Sequence, residues 1–162
     1  MVRLLLAAVL VVVTACRAAP SLSHAHPSAE SLAAAVLDGV ARRDRAALAT
    51  LALDDREFRD HAWPDLPAAQ PERNLPYSYV WGDLHQKSEM SLGRVLGEYG
   101  GQHFTLLGVD FDAVTPYATY RVHRGTRLRV RHASGNESII RVCGSMLEKD
   151  GRWKLFSYVV TD

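Results

Sequence analysis

The chain of 162 residues is 48% hydrophobic and 23% charged, with 11 Gly and 7 Pro, a composition that excludes a disordered chain, a collagen and a coiled coil. At roughly 150 residues per domain the length predicts one domain, large enough to hold a core without disulfide staples. A total of 19 Lys and Arg against 18 Asp and Glu leaves a formal charge of +1, so no excess of positive charge points to nucleic acid, and no such partner is expected.

Residues 1–15 carry one basic residue, Arg3, then an unbroken apolar run from Leu4 to Val13, then small residues. That is the pattern of a secretory signal, and the run is well short of the roughly 20 residues a membrane-spanning helix needs. Val13-Thr14-Ala15-Cys16 resembles the lipobox of bacterial lipoproteins: an aliphatic residue, a small residue, Ala or Gly, and the Cys that is acylated and becomes the first residue of the mature chain. The resemblance implies a signal peptide over 1–15, palmitate-class acyl chains on Cys16, and a membrane partner reached through that lipid. It also implies a place in the bacterial cell envelope, facing the periplasm or the exterior. Arg17 is not the Asp that often retains lipoproteins at the inner membrane, so the outer membrane is preferred. The alternatives are a plain signal, cleaved for example after Ala18 or Ala25, and a chance Cys at the end of an uncleaved apolar segment. Each buried CH₂ contributes about 0.8 kcal/mol, so several acyl chains anchor stably where one holds marginally. Acylation of Cys16 would leave Cys143 without a disulfide partner, and Cys143 then reads as a small buried hydrophobe.

Residues 16–27 are read as the lipidated Cys and a flexible tether, with small residues and two Pro. His24 and His26 form an H-x-H pair with no third ligand nearby, so no metal is predicted. The domain itself is read as 28–162. Ser28 is a candidate N-cap for a first helix with Leu32, Val36, Leu37 and Val40 in one stripe, ending near Arg43. Asp44 caps a second helix bearing Leu48 and Leu51, and a third helical turn covers 55–62. Residues 64–76 hold four Pro and are read as a loop. The longest helix spans 77–99 and is stopped by Gly100-Gly101. Tyr77, Val80, Trp81, Leu84, Ser88, Ser91, Leu92, Val95 and Tyr99 share one face, while Asp83, Gln86, Lys87, Glu89 and Arg94 lie outside it.

From His103 the pattern becomes that of strands: 103–111, a bent second strand over 118–132 kinked at Gly125, and a hairpin of 139–148 with 152–160 closed by Asp150-Gly151. That turn sets Lys149 opposite Arg152, which predicts Met146 opposite Leu155 and Gly144 opposite Ser157 on one face, and Cys143 opposite Tyr158 and Ser145 opposite Phe156 on the other. Both faces are largely apolar, so both are expected to be covered.

The fold class is therefore α+β: N-terminal helices and one long helix packed on a curved antiparallel sheet. The helical start VLDGVARRDRAALATL, the element order over 28–162 and the closing LEKDGRWKLFSYVV resemble the nuclear transport factor 2-like superfamily, also called cystatin-like, which includes ketosteroid isomerases and SnoaL-like polyketide cyclases. The resemblance implies a cone with a pocket between long helix and sheet. Trp81, Ser88, Tyr99, Tyr120, Gly144 and Ser157 are the candidate lining residues, and Gly144 beside Ser157 either opens a hollow or lets helix and sheet close together. Isomerase relatives use an inward Asp, and here no carboxylate is placed inside, which leaves His85 and His103 as candidate general bases. No cofactor motif is present.

These readings lead to three expectations. The first is a lipid-anchored, non-enzymatic envelope protein that binds a small apolar ligand or a protein partner. The second is an isomerase- or cyclase-like enzyme using a His base in the same pocket. The third is a module that dimerises through the sheet face bearing Cys143, Phe156 and Tyr158. Arg121, Arg124, Arg127, Arg129, Arg131 and Arg141, with only Glu137 against them, form a further stripe: either a surface for anions or ordinary strand-edge charge.

Overall fold

The computed structural model describes residues 21–160, so Cys16 and the signal segment lie outside the described residues. Helix α1 (Ala29–Arg42) starts as expected at Ser28, whose side chain accepts the Ser31 N–H at 3.1 Å, and ends at Arg43 in the left-handed region. Asp44 caps α2 (Arg45–Leu51) through the Ala47 N–H. The two helices close on each other at Gly39, where a Cβ would lie 2.7 Å from the Leu48 side chain. The third helical stretch divides into α3 (Asp55–Glu57), held by a reciprocal box between Asp54 and Glu57, and a π turn over Phe58–Ala62. The proline-rich loop is a chain of three 3-10 turns, Trp63–Asp65, Pro67–Ala69 and Pro71–Arg73, each with Pro in its first turn, where its missing N–H costs nothing. Helix α4 spans Tyr77–Tyr99, as the periodicity predicts.

Seven strands follow: β1 (Phe104–Asp110), β2 (Ala113–Pro116), β3 (Arg121–Arg124), β4 (Arg127–His132), β5 (Glu137–Ile140), β6 (Ser145–Lys149) and β7 (Arg152–Ser157). Where the sequence suggests one curved sheet, the hydrogen bonds form two antiparallel sheets, β1-β4-β5 and β2-β3-β6-β7. The chain passes between them three times, from β1 to β2, from β3 to β4 and from β5 to β6. The β3–β4 passage is at Gly125, the expected kink, with φ +64 and the Asp112 carboxyl where a Cβ would stand. Thr126 bridges the junction, its N–H and hydroxyl both donating to the Gly144 carbonyl.

The β6–β7 hairpin has the expected register only at its closed end, with Lys149 opposite Arg152 and Met146 opposite Leu155. A bulge then moves Ser145, not Gly144, opposite Ser157. Gly144 leaves no hollow, because its Cβ would lie 2.1 Å from the Val159 carbonyl oxygen. Its missing side chain lets two backbones meet.

The main core joins α1, α2 and the C-terminal half of α4 to both sheets through Leu32, Val36, Leu48, Leu92, Leu128 and Leu155. Cys143 and Tyr158 belong to it, each 1% exposed, with the Tyr158 hydroxyl donating to the Leu48 carbonyl. Of the three residues expected to form a dimer surface, Cys143 and Tyr158 are thus buried in the chain's own core, and Phe156 is half-buried. Burial raises the Cys143 thiol to about 12, so it stays protonated and packs as the small hydrophobe expected.

A second cluster surrounds fully buried Phe58, whose ring lies 5.2 Å from Trp81, 5.9 Å from Phe156 and 6.0 Å from Tyr77. Residues 21–27, read as tether, dock here: Leu22 packs on this cluster, His26 forms an antiparallel bridge with Trp153, and Arg152 donates to the Ala25 carbonyl. With the parallel bridge from Ala52 to Leu155, they cover the free edge of β7.

Candidate functional site

The two halves of α4 are buried differently. In the C-terminal half Leu92 and Val95 are buried, whereas Tyr77, Val80, Trp81 and Leu84 are only half-buried. The N-terminal half stands off β7 and leaves two clefts that share Leu84 and Phe156 as a common wall.

The larger cleft, about 510 Å³, has an apolar floor that includes Phe58, Val80, Val122 and Phe156, with Ser145, Ser157 and Tyr117 supplying hydroxyls. Asp83, Lys87 and Arg124 add charge at its lining. Lys87 and Asp83 neutralise each other at 2.7 Å. The smaller cleft, about 360 Å³, is lined by Trp81, His85, Ser88, Glu89 and the start of α3. Most of its polar groups are committed elsewhere. The Ser88 hydroxyl accepts the Tyr158 N–H at 2.9 Å. Asp54 caps α3, Asp55 accepts from Arg59 and from the Tyr77 hydroxyl, and Glu89 accepts from Arg45. The Tyr77 hydroxyl, raised to about 12 by burial and by its bond to Asp55, stays protonated.

Of the candidate lining residues, Trp81 and Ser88 lie in the smaller cleft and Ser157 in the larger. The other three are elsewhere. Tyr99 packs edge-on against Phe104 beside the main core. Tyr120 is 4% exposed and spends its hydroxyl on the Ala62 carbonyl at 2.9 Å, while burial raises its pKa. Gly144 sits under Val159. The two histidines also separate. His85 stacks on Trp81 in the smaller cleft, with centroids 5.2 Å apart, whereas His103 lies with Leu37 and Phe104 beside α1. No single pocket holds both. Among the described residues, no group of three or more His, Cys, Asp or Glu is placed to hold a metal, and no helix is long and apolar enough to cross a membrane.

The arginine stripe is less positive than its sequence suggests, because β1, the β1–β2 link and β6 bring carboxylates to it. Arg127 and Arg141 both meet Asp112, at 3.1 and 3.5 Å, Arg129 meets Asp110, Arg131 meets Glu137 and Arg121 meets Glu148.

The most buried polar centre escapes sequence reading. Lys154, 1% exposed, bonds Glu57 at 2.6 Å and the Ser23 carbonyl at 2.8 Å, while the Ser23 N–H and hydroxyl both donate to Glu57. Burial pushes the Glu57 carboxyl up, but the bonds from Lys154, Ser23 and the Asp54 N–H outweigh it and hold it below its usual range. Its partners lie 34 and 97 residues away in the chain. The only local signal is Asp54 three residues before Glu57, a capping pattern.

Comparison with protein-family models, with curated proteins and with solved structures finds no match to this chain.

Proposed function

We propose that the chain is a lipid-anchored, non-enzymatic protein of the bacterial envelope whose nuclear transport factor 2-like domain binds a small, mainly apolar ligand between α4 and β7. The observation that carries this reading is the lift of the N-terminal half of α4 from the sheet. It leaves a cleft of about 510 Å³ floored by aromatic and branched side chains, within the roughly 300–1,000 Å³ usual for small-molecule sites. In the neighbouring cleft, the commitment of Asp54, Asp55, Ser88 and Glu89 to structural bonds leaves His85, stacked on Trp81, with no hydrogen bond to a carboxylate among the described residues to orient it, which favours binding over acid–base chemistry there. Acyl chains on Cys16 would hold this cleft at a membrane surface, where apolar ligands are concentrated.

Val80→Trp, which places an indole in the larger cleft from the half-buried side of α4, tests the binding reading. Isothermal titration with decanol should show saturable uptake by the native chain and none by the variant, at unchanged helical circular dichroism. Absence of uptake by the native chain refutes it. Cys16→Ser should release the protein from membranes into the soluble fraction, and continued retention refutes the anchor.

A further inference from the structure

The larger cleft holds one full charge that the protein leaves uncommitted. Five of the six arginines running from β3 to residue 141 contact a carboxylate. Arg124 contacts none among the described residues. Arg124 lines the larger cleft, and its guanidinium makes a long 3.4 Å bond to the hydroxyl of Tyr117, another lining residue. Lys87, the other cation of that lining, is already taken by Asp83. Asp112, just ahead of the β2–β3 pair that carries Arg124, is divided between Arg127 and Arg141.

An open guanidinium fork above an apolar floor fits a flat oxyanion, which it grips through two parallel N–H bonds. The Ser145 and Ser157 hydroxyls in the same lining can donate to such a group without adding charge. One uncommitted positive charge matches one negative charge, so a carboxylate fits better than a doubly charged phosphate ester.

We infer that the larger cleft selects an apolar monocarboxylate, its hydrocarbon body between α4 and β7 and its carboxylate on Arg124. The inference rests on the binding reading above and assigns its ligand class.

Titration calorimetry of the full chain with decanoate, decanol and decyl phosphate separates the two claims. Decanoate is expected to bind about threefold more tightly than decanol, the scale of one charge-assisted contact to an exposed arginine, and more tightly than decyl phosphate. Arg124→Gln should abolish the preference over decanol. Arg124→Lys should restore part of it. Arg129→Gln, whose arginine faces Asp110 away from the cleft, should keep all of it. Decanol binding as well as decanoate to the native chain, an unchanged preference in Arg124→Gln, or tighter binding of decyl phosphate overturns the carboxylate assignment and leaves the binding reading standing. If none of the three amphiphiles binds, both fall. Because Arg124 is exposed, Arg124→Gln should melt at the native temperature, so lost preference is not lost fold.

Discussion

The two halves of α4 carry one continuous apolar stripe, yet they end in opposite surroundings. Around Leu92 and Val95 the helix closes onto α1 and the sheets, and aliphatic side chains fill the space. Around Val80 and Leu84 it rests on a ring of aromatics, and two clefts stay open beside it. What differs is the support beneath. The closed half is held by side chains that interdigitate. The open half is held at a distance by the segment 53–66, and that segment is pinned to β7 by Glu57, Lys154 and Ser23. A cleft survives in a small domain where a rigid polar buttress resists collapse of the apolar wall above it.

The largest expected effect comes from cutting the buttress. Lys154→Ala strands the Glu57 carboxylate and should destabilise the fold by about 3–5 kcal/mol, whereas replacing the pair together, Glu57→Leu with Lys154→Met, should recover most of that loss. Urea titration measures both, and equal losses in the single and paired variants would show that the ion pair itself, and not a stranded charge, carries the stability.

Next comes the direct contrast along α4. Leu92→Ala leaves a sealed void and should lose about 2–5 kcal/mol, while Leu84→Ala, facing clefts that water already reaches, should lose less than about 1.5 kcal/mol. Equal losses would mean that the open half is as tightly packed as the closed one.

Acid should loosen the open half first. Glu57 is held below the ordinary 4.5, so its stabilisation is fully present above that pH and disappears as pH falls through the lower folded value. Burial, with Arg152 nearby, also lowers His26 from 6.5, so the neutral ring favours the fold above pH 6.5 and that contribution is lost as pH falls. Melting followed by Trp fluorescence from pH 7 to 3 should show a decline that is shallower in Glu57→Gln.

The smallest effect is stabilising. Gly82 lies inside α4 with nothing within 4 Å of the point where a Cβ would stand, so Gly82→Ala should add about 0.5–1 kcal/mol by restricting the unfolded chain. A lower melting temperature would place an unseen neighbour over the open half.

The caps at Ser28 and Asp44, the full span of α4 and the Asp150-Gly151 turn were all legible, because each depends on residues within a few positions of one another. Strand β2 and the break between β5 and β6 were not, since each is set by a partner strand and not by its own pattern. The same limit separates the site residues. Trp81, Ser88 and Ser157 were placed by helical or hairpin period. Tyr120 turned instead to the Ala62 carbonyl, 58 residues away, and the bulge at Ser145 moved Gly144 out of register with Ser157.

The order of the helices, the switch to strands after α4, and which face of α4 turns inward were determined by the sequence alone, because periodicity and capping act over one or two turns of chain. Only the tertiary structure decided that the arginines of β4 meet Asp110 and Asp112, that Ser23 reaches Glu57 and Lys154, and that Arg124 is left facing a cleft. Charge pairing and enclosed space are properties of groups brought together from distant positions, and no local pattern encodes which of them will meet.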